Sequence, residues 1–210
     1  MASQENGFTA TLISFNEVYN KSRIVAHKII SSALFFDAIV AIARGGFPPA
    51  RFLCDFLNIG RLYSIQVKHY GSGAQKQQKA EILNENIGEI SNKKILLVDD
   101  VNDSGKSIMA AYDRLKSAAL VKTAVLHEKE NTRFKADFTG EKFMEWKWLI
   151  YPWAVSEDVL EFLHRGNMLD ADIRAAKDYL LENYKLEIEG QVLENILQFK
   201  SSYFGALVKK

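Results

Sequence analysis

Residues 94–107 read KILLVDDVNDSGKS, and this stretch decides the fold. An apolar run ends abruptly in two adjacent carboxylates, Asp99 and Asp100, and a third, Asp103, begins a small glycine-containing turn. The residues that follow the turn, 108–116, have the pattern of a helix. A buried strand that delivers acids at its carboxyl end, before a turn into a helix, is where open α/β sheets bind ligands. Because the helix N-terminus suits a phosphate and the acids suit hydroxyls or a metal ion, the stretch predicts a phosphorylated sugar as ligand.

The segments around this stretch alternate between strands and helices. Helices are predicted over 15–34 and 50–57, and strands over 37–43, 63–68 and 121–127, with edge strands around Phe138 and 146–150. This order predicts an α/β fold with a mainly parallel, twisted sheet, flanked by helices that form right-handed crossovers.

A second turn of interest, Arg44-Gly45-Gly46, follows the strand at 37–43. Its glycines allow a close backbone approach to a ligand, and the arginine offers a planar fork for phosphate oxygens. An ordinary tight turn with an incidental arginine is the alternative. Residues 69–92 form a long polar connection, which is either a closing lid or a solvent-exposed hairpin. Residues 156–210 are predicted to be a helical extension that packs on the core or on a neighbouring subunit.

Composition excludes several classes of protein. The net charge of +1 gives no support for a nucleic-acid-binding surface, and no run approaches the length needed to span a membrane. The N-terminus has no signal-peptide pattern, and the single cysteine, Cys54, suits a reducing compartment as a small buried hydrophobe. We therefore expect a cytoplasmic protein that binds neither nucleic acid nor membrane.

Two familiar phosphate chemistries do not fit the central stretch. The Gly105-Lys106-Ser107 triplet is typical of the end of an NTPase P-loop, but that motif requires glycine where this chain has Asp100. A receiver-type phosphoacceptor domain would carry its acids nearer the start of the domain, and it would leave Arg44 without a role.

The central stretch and the Arg44 turn resemble the motifs of a known family. Residues 98–107, VDDVNDSGKS, look like the 5-phosphoribosyl-1-pyrophosphate (PRPP) binding motif of the type I phosphoribosyltransferases. Residues 42–49, IARGGFPP, resemble the pyrophosphate loop of the 6-oxopurine (xanthine–guanine and hypoxanthine) enzymes, and Lys129 and Trp148 resemble their purine-binding elements. The resemblance implies a phosphoribosyltransferase core at 1–155, with a base-binding hood and a flexible loop at 69–92, and leaves 156–210 as a C-terminal helical extension.

The resemblance also implies a role for each site residue. The ribose hydroxyls would be bound by Asp99 and Asp100, and the pyrophosphate by Arg44 and Gly45. The 5′-phosphate would be bound by Asp103, Ser104, Gly105, Lys106 and Ser107, and Asp103 would also be the general base. The purine would be contacted by Lys129, Trp148, Ile150 and Tyr151. Lys129 as a surface lysine and Trp148 as a core aromatic are the plain alternatives.

The reaction so implied is transfer of the phosphoribosyl group of PRPP to N9 of guanine, hypoxanthine or xanthine, with release of pyrophosphate, as in purine salvage. Mg²⁺ is the expected cofactor, held mainly through PRPP and by Asp99 and Asp100. The expected assembly is a homodimer or homotetramer. The alternative is a non-catalytic regulator that senses PRPP or a nucleotide through the same fold.

Overall fold

The structure is a computed structural model that describes residues 8–69, 80–145 and 147–205. The chain divides into two compact units: unit 1 comprises Met1–Phe15 and Trp146–Lys210, and unit 2 comprises Asn16–Glu145. The elements, in chain order, are β1 (Ala10–Leu12), α1 (Phe15–Ser31), β2 (Ala38–Ala43), α2 (Phe47–Phe56), β3 (Leu62–His69), β4 (Ala80–Asn86), β5 (Lys94–Asn102), α3 (Lys106–Arg114), β6 (Leu120–Lys129), β7 (Phe138–Phe143), β8 (Trp148–Ile150), α4 (Val155–Arg165), α5 (Ile173–Tyr184), α6 (Gly190–Leu197) and α7 (Lys200–Phe204).

Unit 2 is built on a six-stranded sheet in the order β4-β3-β2-β5-β6-β7. All neighbouring strands in it are parallel except the antiparallel pair β3 and β4. The predicted α/β fold with a mainly parallel sheet is confirmed.

The apolar strands of unit 2 are buried because each face of the sheet carries helices. Leu96 and Val98 of β5 pack with residues of α1 and α2, whereas Ile95 and Leu97 pack with residues of α3. Successive side chains of a strand point to opposite faces, so an uninterrupted apolar run is what a doubly covered strand requires. Cys54 of α2 is buried in the first of these clusters, and burial raises the pKa of its thiol. It therefore behaves as the small hydrophobe that the sequence predicts.

The strand order places a topological switch point between β2 and β5. The chain proceeds from β2 to its neighbour β3 on one side, and later returns to add β5 and β6 on the other side of β2. Loops that follow the two strands at such a point diverge and leave a crevice at the carboxyl edge of the sheet, where ligands bind.

The connection predicted at 69–92 contains a regular strand, because β4 pairs with β3 at the edge of the sheet. The hairpin alternative therefore describes its second half, 80–86, better than an irregular loop does. The lid was expected over 69–92; residues 70–79 of that loop lie outside the described residues, and its closure stays a prediction.

Unit 1 combines the chain segments that precede and follow unit 2 in the sequence, the second of which includes the C-terminal helices. β8 was expected at the edge of the main sheet, but it pairs in parallel with β1 in a separate two-stranded sheet. Ala10 and Ile150 from these strands share one core with buried residues of α4, α5 and α6. The strand Trp148–Ile150 thus shares its core with the C-terminal helices, and the predicted domain boundary after residue 155 stays a prediction.

Two details of the extension follow from local chemistry. Asp172 caps α5, since its carboxylate accepts a hydrogen bond of 2.9 Å from Ala175 N. The single helix expected around 192–207 is instead two, α6 and α7. Within the described ranges, no helix is long and apolar enough to cross a membrane.

Candidate active site

The acid pair lies at the carboxyl end of β5, beside the switch point. Asp99 is 8% exposed and Asp100 is half-buried. Each carboxylate accepts a hydrogen bond from the backbone N–H of the following residue, at 3.0 Å and 2.7 Å respectively. Burial, and then the neighbouring charge of Asp100, raise the pKa of Asp99 well above its usual value. The ionised form of two adjacent, partly buried carboxylates would be stabilised by hydroxyl donors or by a cation placed between them.

The turn after β5 has the geometry of a phosphate cradle. Gly105 adopts φ +80° and precedes α3, whose first backbone N–H groups have no partners within the helix. The helix dipole adds a partial positive charge at the same point. This geometry suits an anion, and the role of residues 103–107 toward a 5′-phosphate stays a prediction.

The Arg44 turn approaches the acid pair closely from β2. A Cβ on Gly45 would lie 2.6 Å from the carboxyl carbon of Asp100, and one on Gly46 would lie 2.5 Å from the carbonyl oxygen of Val98. A side chain at position 45 would therefore displace the Asp100 carboxylate, and one at position 46 would press on the backbone of β2 and β5. Arg44 itself is exposed, and the peptide bond between Ala43 and Arg44 is cis.

Lys129 ends β6 and meets the central stretch directly. Its Nζ lies 3.1 Å from Oδ1 of Asp103, and both side chains are partly exposed. Because β2, β5 and β6 are parallel neighbours, Arg44, the acids, the turn and Lys129 all lie at one edge of the sheet. The structure thus brings together every predicted residue of unit 2.

The predicted purine contacts from the hood lie in unit 1. The ring of Trp148 is 5.6 Å from that of Phe8 and 6.4 Å from that of Phe162. The carbonyl oxygen of Ile150 accepts a hydrogen bond from Ile13, and Tyr151 is buried and stacks on Trp153 at 4.9 Å. These contacts explain why the residues are ordered in the fold, and their role toward a base stays a prediction.

Two groups of side chains near the site were missed by the sequence reasoning. Glu17, His127 and Glu141 bring their ligand atoms within 4.8 Å of one another, a spacing that suits a metal ion. Lys21 forms an ion pair with Glu141, so the cluster already holds an internal cation. The second group, Asn102, Glu128 and Thr132, is a buried polar network. The one sequence signal for it is that Asn102 and Glu128 stand near the carboxyl ends of two strands whose middles are apolar.

Comparisons with known proteins agree with this geometry. The chain matches the family model "Phosphoribosyl transferase domain" over residues 14–157. A xanthine-guanine phosphoribosyltransferase from Ruegeria sp. is 28% identical over 165 residues, which cover 75% of this chain and 90% of that protein. The crystal structure of a purine phosphoribosyltransferase from Pyrococcus horikoshii matches with a TM-score of 0.59 and 28% identity, over 69% of this chain and 93% of that one.

A relative of another kind also matches. A transcriptional regulator from Methanococcus maripaludis is 31% identical over 106 residues, which cover 50% of this chain and 50% of that protein. The family model, by contrast, spans more than half of the chain and includes every site residue described above. The chain therefore belongs to the phosphoribosyl transferase domain family, as a type I phosphoribosyltransferase similar to the 6-oxopurine enzymes.

Proposed function

We propose that the protein transfers the 5-phosphoribosyl group of PRPP to N9 of a 6-oxopurine (guanine, hypoxanthine or xanthine) and releases pyrophosphate. The observation that carries the proposal is the convergence of three kinds of group at one sheet edge. These are the acid pair, the phosphate cradle and the Asp103–Lys129 pair, with the Arg44 turn beside them. Each suits a different part of the two substrates.

The sugar side of the site suits PRPP. Asp99 and Asp100 would accept hydrogen bonds from the ribose hydroxyls, and the N–H groups at the start of α3 would hold the 5′-phosphate together with Ser104, Lys106 and Ser107. Arg44 and the backbone of Gly45 would bind the pyrophosphate beside them. A substrate gripped at both ends presents C1 of its ribose to the base, which supplies much of the rate by proximity.

The acid pair also fits Mg²⁺. Carboxylate oxygens are the ligands this ion prefers, and it commonly bridges one or two carboxylates and the phosphates of a substrate. Burial and the charge of Asp100 both disfavour the ionised form of Asp99 and so raise its pKa, and a bound cation would offset both effects. When bound, the ion would neutralise charge on the departing pyrophosphate, while Asp99 and Asp100 orient the ribose.

The base side of the site suits a 6-oxopurine. Lys129 donates hydrogen bonds and accepts none, so it favours an oxygen at C6 over the amino group of adenine. Asp103, 3.1 Å from it, would accept the purine proton at N7. The C1–N9 bond then forms while the bond from C1 to the pyrophosphate oxygen breaks. In this proposal Trp148 stacks on the ring, and Ile150 and Tyr151 meet the edge of the base through their backbone.

The second candidate is a non-catalytic regulator that senses PRPP or a nucleotide. The likeness to a transcriptional regulator over half of the chain is the observation that favours it. A regulator needs the phosphate and ribose contacts but has no use for a general base.

A single assay separates the two functions. Pyrophosphate release would be measured with PRPP, Mg²⁺ and each of guanine, hypoxanthine, xanthine and adenine. The enzyme proposal expects turnover with one or more of the 6-oxopurines and little with adenine. PRPP binding without turnover of any base would favour the regulator instead. The same preparation, measured by light scattering, tests the expected homodimer or homotetramer.

A further inference from the structure

A buried polar network lies directly behind the proposed site. Asn102, Glu128 and Thr132 are only 2%, 0% and 7% exposed. Asn102 Nδ2 donates to Oε2 of Glu128 at 2.9 Å and to the carbonyl oxygen of Phe134 at 2.7 Å. Thr132 Oγ1 donates to Asn102 Oδ1 at 3.1 Å, so every polar atom of this amide is engaged.

Glu128 extends the network into the connection between β6 and β7. Its Oε2 also accepts from Ala136 N at 2.6 Å, while Oε1 accepts no hydrogen bond from the described residues and lies 3.7 Å from Lys142 Nζ. A carboxyl group with no exposed surface is costly to bury, and an apolar pair of similar volume is commonly as stable or more so. Packing alone therefore gives no reason for these residues.

The position of the network supplies a reason. Asn102 and Glu128 are register partners on β5 and β6, and each immediately precedes a residue of the Asp103–Lys129 pair. The same connection also touches the phosphate cradle, since a Cβ on Gly105 would lie 2.8 Å from Phe134 N and 3.1 Å from Thr132 Oγ1. The network thus joins the cradle, the strand that carries Lys129 and the connection that covers them.

We propose that Asn102, Glu128 and Thr132 are positioning residues that hold the phosphate cradle and Asp103 in register with Lys129. The inference rests on the proposed transfer reaction, because it concerns how the two substrates are aligned. Reacting atoms must be held within about 0.5 Å of the productive geometry, so loss of the network slows transfer even where the fold survives.

Two threonine variants provide a matched test. Thr132→Val removes a hydroxyl that bonds Asn102, whereas Thr139→Val removes an equally buried hydroxyl that makes no hydrogen bond to the described residues. Loss of one neutral hydrogen bond corresponds to about a fivefold change in an equilibrium or rate constant. We expect Thr132→Val to lower kcat/KM for PRPP by about that factor, while Thr139→Val stays near wild type, with PRPP affinity from calorimetry and Tm measured for both.

Glu128 provides the second test through its conservative variant. Glu128→Gln retains an acceptor oxygen for Asn102 and Ala136, whereas Glu128→Ala removes it. We expect kcat of Glu128→Gln to be about tenfold or more higher than that of Glu128→Ala. The double variant Asn102→Leu/Glu128→Met removes both side chains, but it also leaves Ala136 N and the carbonyl oxygen of Phe134 without their partners, so both its Tm and its kcat should fall. If the double variant does not fold, the threonine and Glu128 pairs still decide.

The outcomes separate this inference from the proposed function. An active wild type, with equal kinetics in the two threonine variants and no advantage of glutamine over alanine at position 128, would overturn the positioning role alone. A wild type that binds PRPP but turns over no base would overturn the proposed function. PRPP affinity would then still test the network. A greater loss of affinity in Thr132→Val than in Thr139→Val would support the positioning role, and an equal affinity in the two variants would overturn it.

Discussion

Replacement of Gly105 by alanine tests the geometry of the phosphate cradle most directly. Gly105 is buried, adopts φ +80° and ends the turn directly before α3. An added Cβ would lie 2.8 Å from the backbone nitrogen of Phe134 and 2.9 Å from its Cβ. Neither atom is the end of a flexible side chain, so the backbone of the cradle or of the covering connection must move.

The expected loss of stability has two sources and one offset. A left-handed backbone conformation costs an L-residue about 1–2 kcal/mol. Forcing a methyl group into a filled space adds about 1–3 kcal/mol. The reduced freedom of the unfolded chain returns about 0.4–1 kcal/mol. The variant should therefore be less stable by about 1–5 kcal/mol, and displacement of the cradle should weaken PRPP binding about tenfold or more.

The assay is urea unfolding followed by circular dichroism, with PRPP affinity from calorimetry. Hydrogen exchange at the amides of α3 gives the local reading. Gly60→Ala is the matched control, because Gly60 is exposed and an added Cβ would meet nothing within 4 Å. That control should change stability by less than about 1 kcal/mol. If Gly105→Ala matched Gly60→Ala in stability and in PRPP affinity, the proposed cradle geometry would be wrong.

Three further predictions follow from other parts of the chain. Asp103→Asn should retain PRPP binding but lower kcat by about 10²–10⁴-fold in the pyrophosphate assay, because the amide cannot accept the purine proton. Burial lowers the pKa of His127, although the Glu17 carboxylate beside it acts in the opposite direction, so the folded protein binds this proton less readily than the unfolded chain. Stability should therefore fall as the pH drops below the ordinary histidine value of 6.5, and urea unfolding of His127→Gln across that range should show a smaller loss. Phe162→Ala should destabilise unit 1 by about 3–5 kcal/mol, since the ring is 1% exposed and stacks on Tyr184 at 4.1 Å. Tryptophan fluorescence reports that transition, because the three tryptophans of the chain lie between residues 146 and 153.

Each of these predictions has a contrary result. An Asp103→Asn protein as fast as wild type would remove the general base from the proposal. Parallel stability curves for wild type and His127→Gln between pH 7 and pH 5 would mean that the buried imidazole does not titrate with folding in this range. An unchanged fluorescence midpoint in Phe162→Ala would show that its ring contributes little to the core of unit 1.

Much of unit 2 could be predicted from the sequence because its signals are local. The run at 95–98 is apolar at every position, and only a strand covered on both faces buries all of it. The acids and the glycine turn follow that strand directly, so their place at the carboxyl edge needs no tertiary information. Neighbouring parallel strands then bring Arg44 and Lys129 to the same edge. The positions of these site residues could therefore be predicted from the order of strands along the chain, without knowledge of contacts between distant segments.

Features that depend on contacts between distant segments could not be predicted in this way. Asn102 and Glu128 are 26 positions apart, and each alone resembles an ordinary polar residue at a strand end. Only strand register shows that they face each other. The sequence left a lid and a hairpin as alternatives at 69–92 for a related reason, since most residues of β4 are polar and exposed and its pairing with β3 is what defines it as a strand.

The role of the C-terminal helices in the fold follows from the size of the sheet they cover. β1 and β8 contribute three residues each, and a two-stranded sheet this short has too little apolar surface to be stable alone. Ile150, at the end of β8, is fully buried because α4, α5 and α6 supply the rest of its core. Trp148 likewise packs near Phe162 of α4. The segment proposed to bind the purine therefore owes its conformation to helices beyond residue 155, so substitutions in those helices should alter base recognition without touching the base.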